Sequence, residues 1–124
     1  IEPTEFIARV KGSKEFLVGS NGKLINDEYT DKKLPFIFGK FDTKKFLKFK
    51  KNLDSSEFRF NDFQSIFFYP SERFDLKTIN NILIRLPEKN LSKGLSIAHK
   101  IINNDNFKDN KIIDLRVSNR VIIK

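Results

Sequence analysis

Three short β-prone segments crowded between Gln64 and Pro87 constrain this chain more than any other feature. Gln64–Tyr69 is rich in aromatics. Arg73–Thr78 sets Phe74 and Leu76 on one side, and Ile82–Leu86 does the same with Ile82, Ile84 and Leu86. Turn formers separate them, Pro70-Ser71-Glu72 and Asn80-Asn81, and Pro87 ends the run. Segments joined by so few residues pair as neighbouring antiparallel strands. The rest of the chain must complete a sheet around this meander.

The flanks supply more strands and two helices. The run up to Val10 alternates Phe6, Ala8 and Val10 against Ile7 and Arg9, and Gly12-Ser13 turns it. Glu15–Val18 and Lys23–Ile25 read as a hairpin around Gly19-Ser20-Asn21-Gly22, since Asn-Gly tolerates the positive φ of a tight turn. Asn26–Lys33 reads as a loop. Leu34–Gly39 is apolar, but Pro35 argues against a central strand, so the piece reads as a buried connector. Asp42 is placed to cap a helix over about Thr43–Leu53, with Phe46, Phe49 and Leu53 inward, Leu47 beside them and lysines outward. Phe58 and Phe60 alternate with Arg59 and read as extended. A second helix starts at a cap on Asn90 or Ser92 and runs to about Asn103, with Leu91, Leu95, Ala98 and Ile102 at helical spacing. A polar loop, Asn103–Lys111, follows.

The last fifteen residues, Asn110–Lys124, return to β. Ile113, Leu115 and Val117 face one way and Asp114 and Arg116 the other. Ser118-Asn119 interrupts, and Arg120–Ile123 resumes. Such a segment is either a last central strand or an edge whose backbone groups are offered elsewhere. The pattern predicts an α+β domain, a mainly antiparallel sheet with two helices covering one face, and a single domain over residues 1–124.

At 124 residues the chain can bury about two-thirds of the surface its unfolded form exposes. It has no cysteine, which excludes disulfides, thiolate zinc sites and thiol nucleophiles. It has no methionine and begins at Ile1, so it reads as a fragment or a processed product. No run approaches the roughly 18 apolar residues of a membrane span. The net charge of +8 raises the weight of anionic partners, although the Lys-, Asn-, Ile- and Phe-rich composition reads as AT-rich codon usage.

Little here points to catalysis. His99 is the one histidine and falls on the polar side of the second helix, so neither it nor the loop pairs Asp27/Glu28 and Asp105/Asp109 make a metal site. The glycines form no phosphate loop and no serine sits in a nucleophile elbow. No enzyme, cofactor or metal is expected. The basic run Lys40, Lys44, Lys45, Lys48, Lys50 and Lys51 reads first as a solvated helix face. Its alternatives are nucleic-acid binding through the Lys40–Lys51 helix and contact with anionic lipid. Phe67, Phe68 and Tyr69 on adjacent positions occupy both sheet faces, an arrangement that RNA-binding sheets use for stacking and most sheets for packing.

The ordered set of motifs resembles the extracytoplasmic β domain of the bacterial cell-division family FtsQ, called DivIB in some lineages. The resemblance rests on Glu2-Pro3, Phe16-Leu-Val with Asn21-Gly22, Leu34-Pro35 with Gly39, Arg73-Phe-Asp-Leu76, Ile82–Pro87, and Ile113-Asp-Leu-Arg116 with Arg120-Val121. It departs at Gly19, where Asp is common, at Phe74, where Trp is common, and at Glu5 and Ile7. The resemblance implies a short cytoplasmic tail, one transmembrane helix and a POTRA domain upstream of Ile1. It also implies a place on the extracytoplasmic face of the cell membrane at the division site. There the domain would be a non-enzymatic scaffold for partners of the FtsB and FtsL type. In the family an FtsB segment adds a strand to the edge made by the terminal strand. That edge maps to Val117, Ser118, Asn119, Arg120, Val121, Ile122, Ile123 and Lys124, with Arg116 beside it and Arg73 near a partner-contacting arginine. An added strand satisfies edge backbone groups. Val117, Val121, Ile122 and Ile123 would then give apolar contacts, while Arg116, Arg120 and Lys124 meet carboxylates.

Overall fold

The computed structural model describes residues 6–11, 15–19, 24–26, 34–71, 73–104, 111–117 and 120–124. Among them the elements run β1 (Phe6–Lys11), β2 (Glu15–Gly19), β3 (Leu24–Asn26), β4 (Phe36–Gly39), α1 (Thr43–Asp54), β5 (Phe63–Phe68), β6 (Phe74–Thr78), β7 (Leu83–Arg85), α2 (Leu91–Ile102), β8 (Ile112–Asp114) and β9 (Ile122–Ile123). One sheet holds every strand, in the order β3-β2-β1-β4-β5-β6-β7-β8-β9. The meander is its middle, β5-β6-β7, paired antiparallel as its spacing requires. The sheet is mainly antiparallel, with parallel pairs at β1/β4, β4/β5 and β7/β8. The class is α+β.

Chain direction decides where the helices lie. β4 and β5 run together and are joined through α1; β7 and β8 run together and are joined through α2. β7 also runs with β4, because two antiparallel steps separate it from β5. Both crossovers therefore step the same way along the sheet. The right-handed rule for such connections places both helices on one face. Burial agrees with that placement. Phe46, Phe49 and Leu53 of α1 and Leu91, Leu95 and Ala98 of α2 share one core with a single cross-strand row, Val10, Ile37, Ile66, Leu76, Ile84 and Ile113. Aromatic rings fill the space under α1: Phe49 lies 5.1 Å from Phe74 and 6.1 Å from Phe60, centre to centre.

Asp42 caps α1 as its position predicts, its Oδ1 accepting from the N–H groups of Lys44 and Lys45 at 2.8 and 3.2 Å. The helix is held to the β5–β6 turn by Lys45, whose ammonium donates to the carbonyls of Tyr69, Pro70 and Ser71 at 3.1, 3.1 and 3.3 Å.

Several expectations need correction. Leu34–Gly39 is no connector: Phe36–Gly39 is a central strand between β1 and β5. Pro35 is tolerated because it stands just before the strand, where no ladder N–H is required, and its carbonyl accepts from the Arg9 N–H at 2.9 Å. Phe60–Asp62 forms one turn of 3₁₀-helix where an extended segment was expected, closed by the Arg59 N–H on Asp62 Oδ2 at 2.8 Å. Leu47 sits outside the inward stripe and is 41% exposed. Asn90 precedes α2 in the left-handed conformation, φ 59°, and its side chain makes no capping bond. The terminal segment is two strands, not one. β8 is interior, and the chain folds back after Arg116 so that only β9 forms the edge. The predicted Gly12-Ser13 turn, the tip of the first hairpin, the loop around Asp27/Glu28, Glu72, and the loop with Asp105/Asp109 and Phe107 lie outside the described residues.

Candidate partner-binding edge

β9 ends the sheet, antiparallel to β8, with Ile113 opposite Ile123 and Asp114 opposite Ile122. Ile112 and Lys124 exchange backbone hydrogen bonds at 3.1 and 3.0 Å. In an antiparallel pair the bonding direction alternates along the strand. The N–H and C=O groups of Ile122 and Lys124 therefore point inward to β8, and those of Val121 and Ile123 point out, past the end of the sheet. The two side chains next to those outward groups are open as well, Val121 44% and Ile123 43% exposed.

A charged ladder lies beside this edge on the face the helices leave bare. Register builds it: Phe67, Asp75, Arg85, Asp114 and Ile122 stand opposite one another on consecutive strands. Asp75 is 2% exposed and is held by the Tyr69 hydroxyl at 2.8 Å and by Arg73 Nη2 at 3.2 Å. The Arg73 guanidinium also covers the Tyr69 ring, 4.4 Å from its centre. Arg116 forks onto Asp114, Nε to Oδ1 at 2.9 Å and Nη2 to Oδ2 at 2.7 Å. That fork is the main reason the Asp114 carboxyl is lowered to about 2; burial opposes it, and Arg85 contributes from the next strand. Burial, then Asp75, pushes the Tyr69 phenol above its ordinary value. Arg116 is held charged first by Asp114, and Asp75 and Tyr69 act on it too, which ties the ladder together. Three guanidinium groups thus face two carboxylates. Among the described residues, the buried Nε atoms of Arg73 and Arg85 meet no hydrogen-bond partner.

Behind the edge, on the helix side, a cavity of about 350 Å³ opens between the start of α2 and the β8–β9 connection. Ile97, Leu115, Val117 and Val121 give it an apolar wall, and Lys89, Lys93 and Arg120 a basic rim.

The residues singled out from sequence divide accordingly. Ile122, Ile123 and Lys124 are on or next to the edge strand. Val117, Arg120 and Val121 line the cavity, with Val117 56% exposed. Arg73 and Arg116 are brought to opposite ends of the ladder. Ser118 and Asn119 lie outside the described residues. Sequence reasoning misses Tyr69, Asp75, Arg85 and Asp114 as a group. The available signal was a carboxylate between apolar neighbours, Asp75 between Phe74 and Leu76, and Asp114 between Ile113 and Leu115. The basic run is thinner than its sequence suggests, since Lys45 holds the β5–β6 turn and Lys50 pairs with Asp54. His99 is half-buried, its Nδ1 2.9 Å from Glu57 and its ring edge-on to Phe58. Among the described residues no group of three or more His, Asp or Glu side chains is gathered to hold a metal. No helix there is long and apolar enough to cross a membrane.

Comparison with known proteins agrees with this architecture. The major extracytoplasmic domain of the trans isomer of the bacterial cell-division protein DivIB from Geobacillus stearothermophilus superposes with a TM-score of 0.56 at 18% identity, over 77% of this chain and 87% of that one. No curated relative matches the sequence. The family model for the C-terminal part of the cell-division protein FtsQ/DivIB matches residues 8–116, ending just before the chain folds back into β9. The chain belongs to the FtsQ/DivIB family of cell-division proteins, of which it carries the C-terminal domain.

Proposed function

We propose that the chain is a non-enzymatic scaffold of bacterial cell division that binds a partner segment by strand addition at β9. The domain, fragment of a longer membrane-anchored protein, would act on the extracytoplasmic face at the division site, with partners of the FtsB and FtsL type. The observation that carries the reading is the outward pair of backbone groups at Val121 and Ile123, at the end of a sheet whose flanks are basic. Two residues offer at most four backbone hydrogen bonds. At about 0.5–1.5 kcal/mol each, these supply roughly 2–6 kcal/mol, near millimolar affinity by themselves. Side chains must supply the rest. A strand laid antiparallel on β9 sends alternate side chains to the two faces. One set meets Arg85, Arg116 and Ile122; the other reaches the cavity under Val121. An acidic strand with apolar residues at every second position fits both.

The test is a titration of the isotope-labelled chain with a peptide from the extracytoplasmic part of the same organism's FtsB, followed by backbone amide shifts. Shifts are expected at residues 111–124 and around Arg73. Ile123→Pro removes an outward donor and leaves the β8 ladder intact, so it should abolish those shifts while the circular dichroism spectrum is retained. Full-affinity binding by a folded Ile123→Pro variant sinks the strand-addition reading.

A further inference from the structure

We propose that the outer face of α1 rests on an anionic lipid bilayer. Lys44, Leu47, Lys48 and Lys51 recur at the spacing of one helix face, all four are exposed, and exposed Lys40 precedes the helix. Among the described residues, the carboxylates at the two ends of α1 are otherwise engaged: Asp42 accepts from the N–H groups of Lys44 and Lys45, and Asp54 pairs with Lys50. Among the described residues no carboxylate lies within ion-pair distance of Lys40, Lys44 or Lys51. The placement also runs against the helix's own field. The first turn carries Lys44 and Lys45 and no acidic residue, where the positive end of the dipole disfavours cations. Lys45 has a structural task in the β5–β6 turn; Lys44 points into solvent.

Two features favour a lipid surface over a nucleic acid. Leu47, 41% exposed, stands in the middle of the lysines, where a phosphate backbone has no use for it and an interfacial region does. The aromatic residues of α1 that could stack on bases, Phe46 and Phe49, are fully buried. A single convex helix with flexible point charges around an apolar centre matches a plane of headgroups. This surface is separate from β9: Phe49 on the inner side of α1 packs against Phe68 of β5 and Phe74 of β6, in the middle of the sheet, and β9 ends it.

Co-sedimentation of the chain with vesicles tests the proposal. Vesicles holding roughly one-third phosphatidylglycerol in phosphatidylcholine should bind it at low salt and release it as salt rises, and pure phosphatidylcholine should not bind it. The triple variant Lys44→Gln, Lys48→Gln, Lys51→Gln should lower the partition on the order of 100-fold. Leu47→Ser, which leaves the charge unchanged, should lower it roughly tenfold. The salt titration of the unaltered chain needs no variant and stands even if one folds poorly. Absence of binding to the anionic vesicles overturns the proposal, as does undiminished binding of the triple variant. Indifference to Leu47→Ser, with comparable binding to duplex DNA, also overturns it and marks the face as a site for soluble polyanions.

Discussion

Gly39 closes β4 with φ 95°, and a Cβ built on it lies 2.0 Å from the carbonyl oxygen of Phe68 on the paired strand, where real contacts come no closer than 3.0 Å. Gly39→Ala therefore carries two costs. The positive φ strains an alanine by about 1–3 kcal/mol. The clash is with backbone, so no rotamer change relieves it; β4 must move off β5 at the Gly39–Phe68 pair, an overpacking cost of about 1–3 kcal/mol. Together they remove about 2–6 kcal/mol from a domain whose total stability is expected near 5–15 kcal/mol. The melting temperature should fall by roughly 10–25 °C. A urea titration followed by circular dichroism measures the loss directly, with an unchanged slope showing that the same surface is exposed on unfolding. Gly94→Ala is the internal comparison. Its Cβ meets the Pro87 ring at 2.8 Å, but its φ is ordinary and alanine recovers about 1 kcal/mol of helix propensity, so the loss should be clearly smaller. A loss below about 1 kcal/mol for Gly39→Ala, or one no larger than that of Gly94→Ala, refutes the reasoning.

Two further outcomes follow from the same geometry. Asp42→Ala removes the side-chain cap of α1 and should cost about 1 kcal/mol, read from the urea midpoint. Asp114 titrates lower folded than unfolded, so its contribution to stability is complete above the usual carboxylate value of 3.8 and disappears as pH falls toward about 2. Asp114→Asn should therefore flatten the stability profile across that interval, measured by urea midpoints at successive pH values; an unchanged slope would show that the Asp114 carboxyl is not held down in the folded chain.

Local rules reached as far as local causes did. The meander and α1 were legible because alternation, turn residues and the Asp42 cap act within a few positions of one another. β4 was misread because the proline rule concerns strand interiors, and Pro35 lies one residue outside. The break at Ser118-Asn119 was visible, yet nothing local said that the chain reverses there instead of continuing. The ladder was out of reach for a different reason. Arg85 meets Asp114 only through the parallel register of β7 and β8, two strands separated by all of α2. An alternating carboxylate announces a solvated face; which guanidinium shares it is decided by pairing across that distance.

The brevity of β9 has a consequence for crowding. Exposed sheet edges invite identical molecules to join through them. The outward groups at Val121 and Ile123 allow two copies to meet antiparallel with Ile122 opposite Ile122. That register sets Arg120 of each copy against Lys124 of the other, two like-charge contacts around only two bonding residues. Self-pairing meets repulsion at both ends of a very short ladder, so the same edge that would welcome an acidic strand turns away its own image, and concentrated solutions of the chain should stay monomeric.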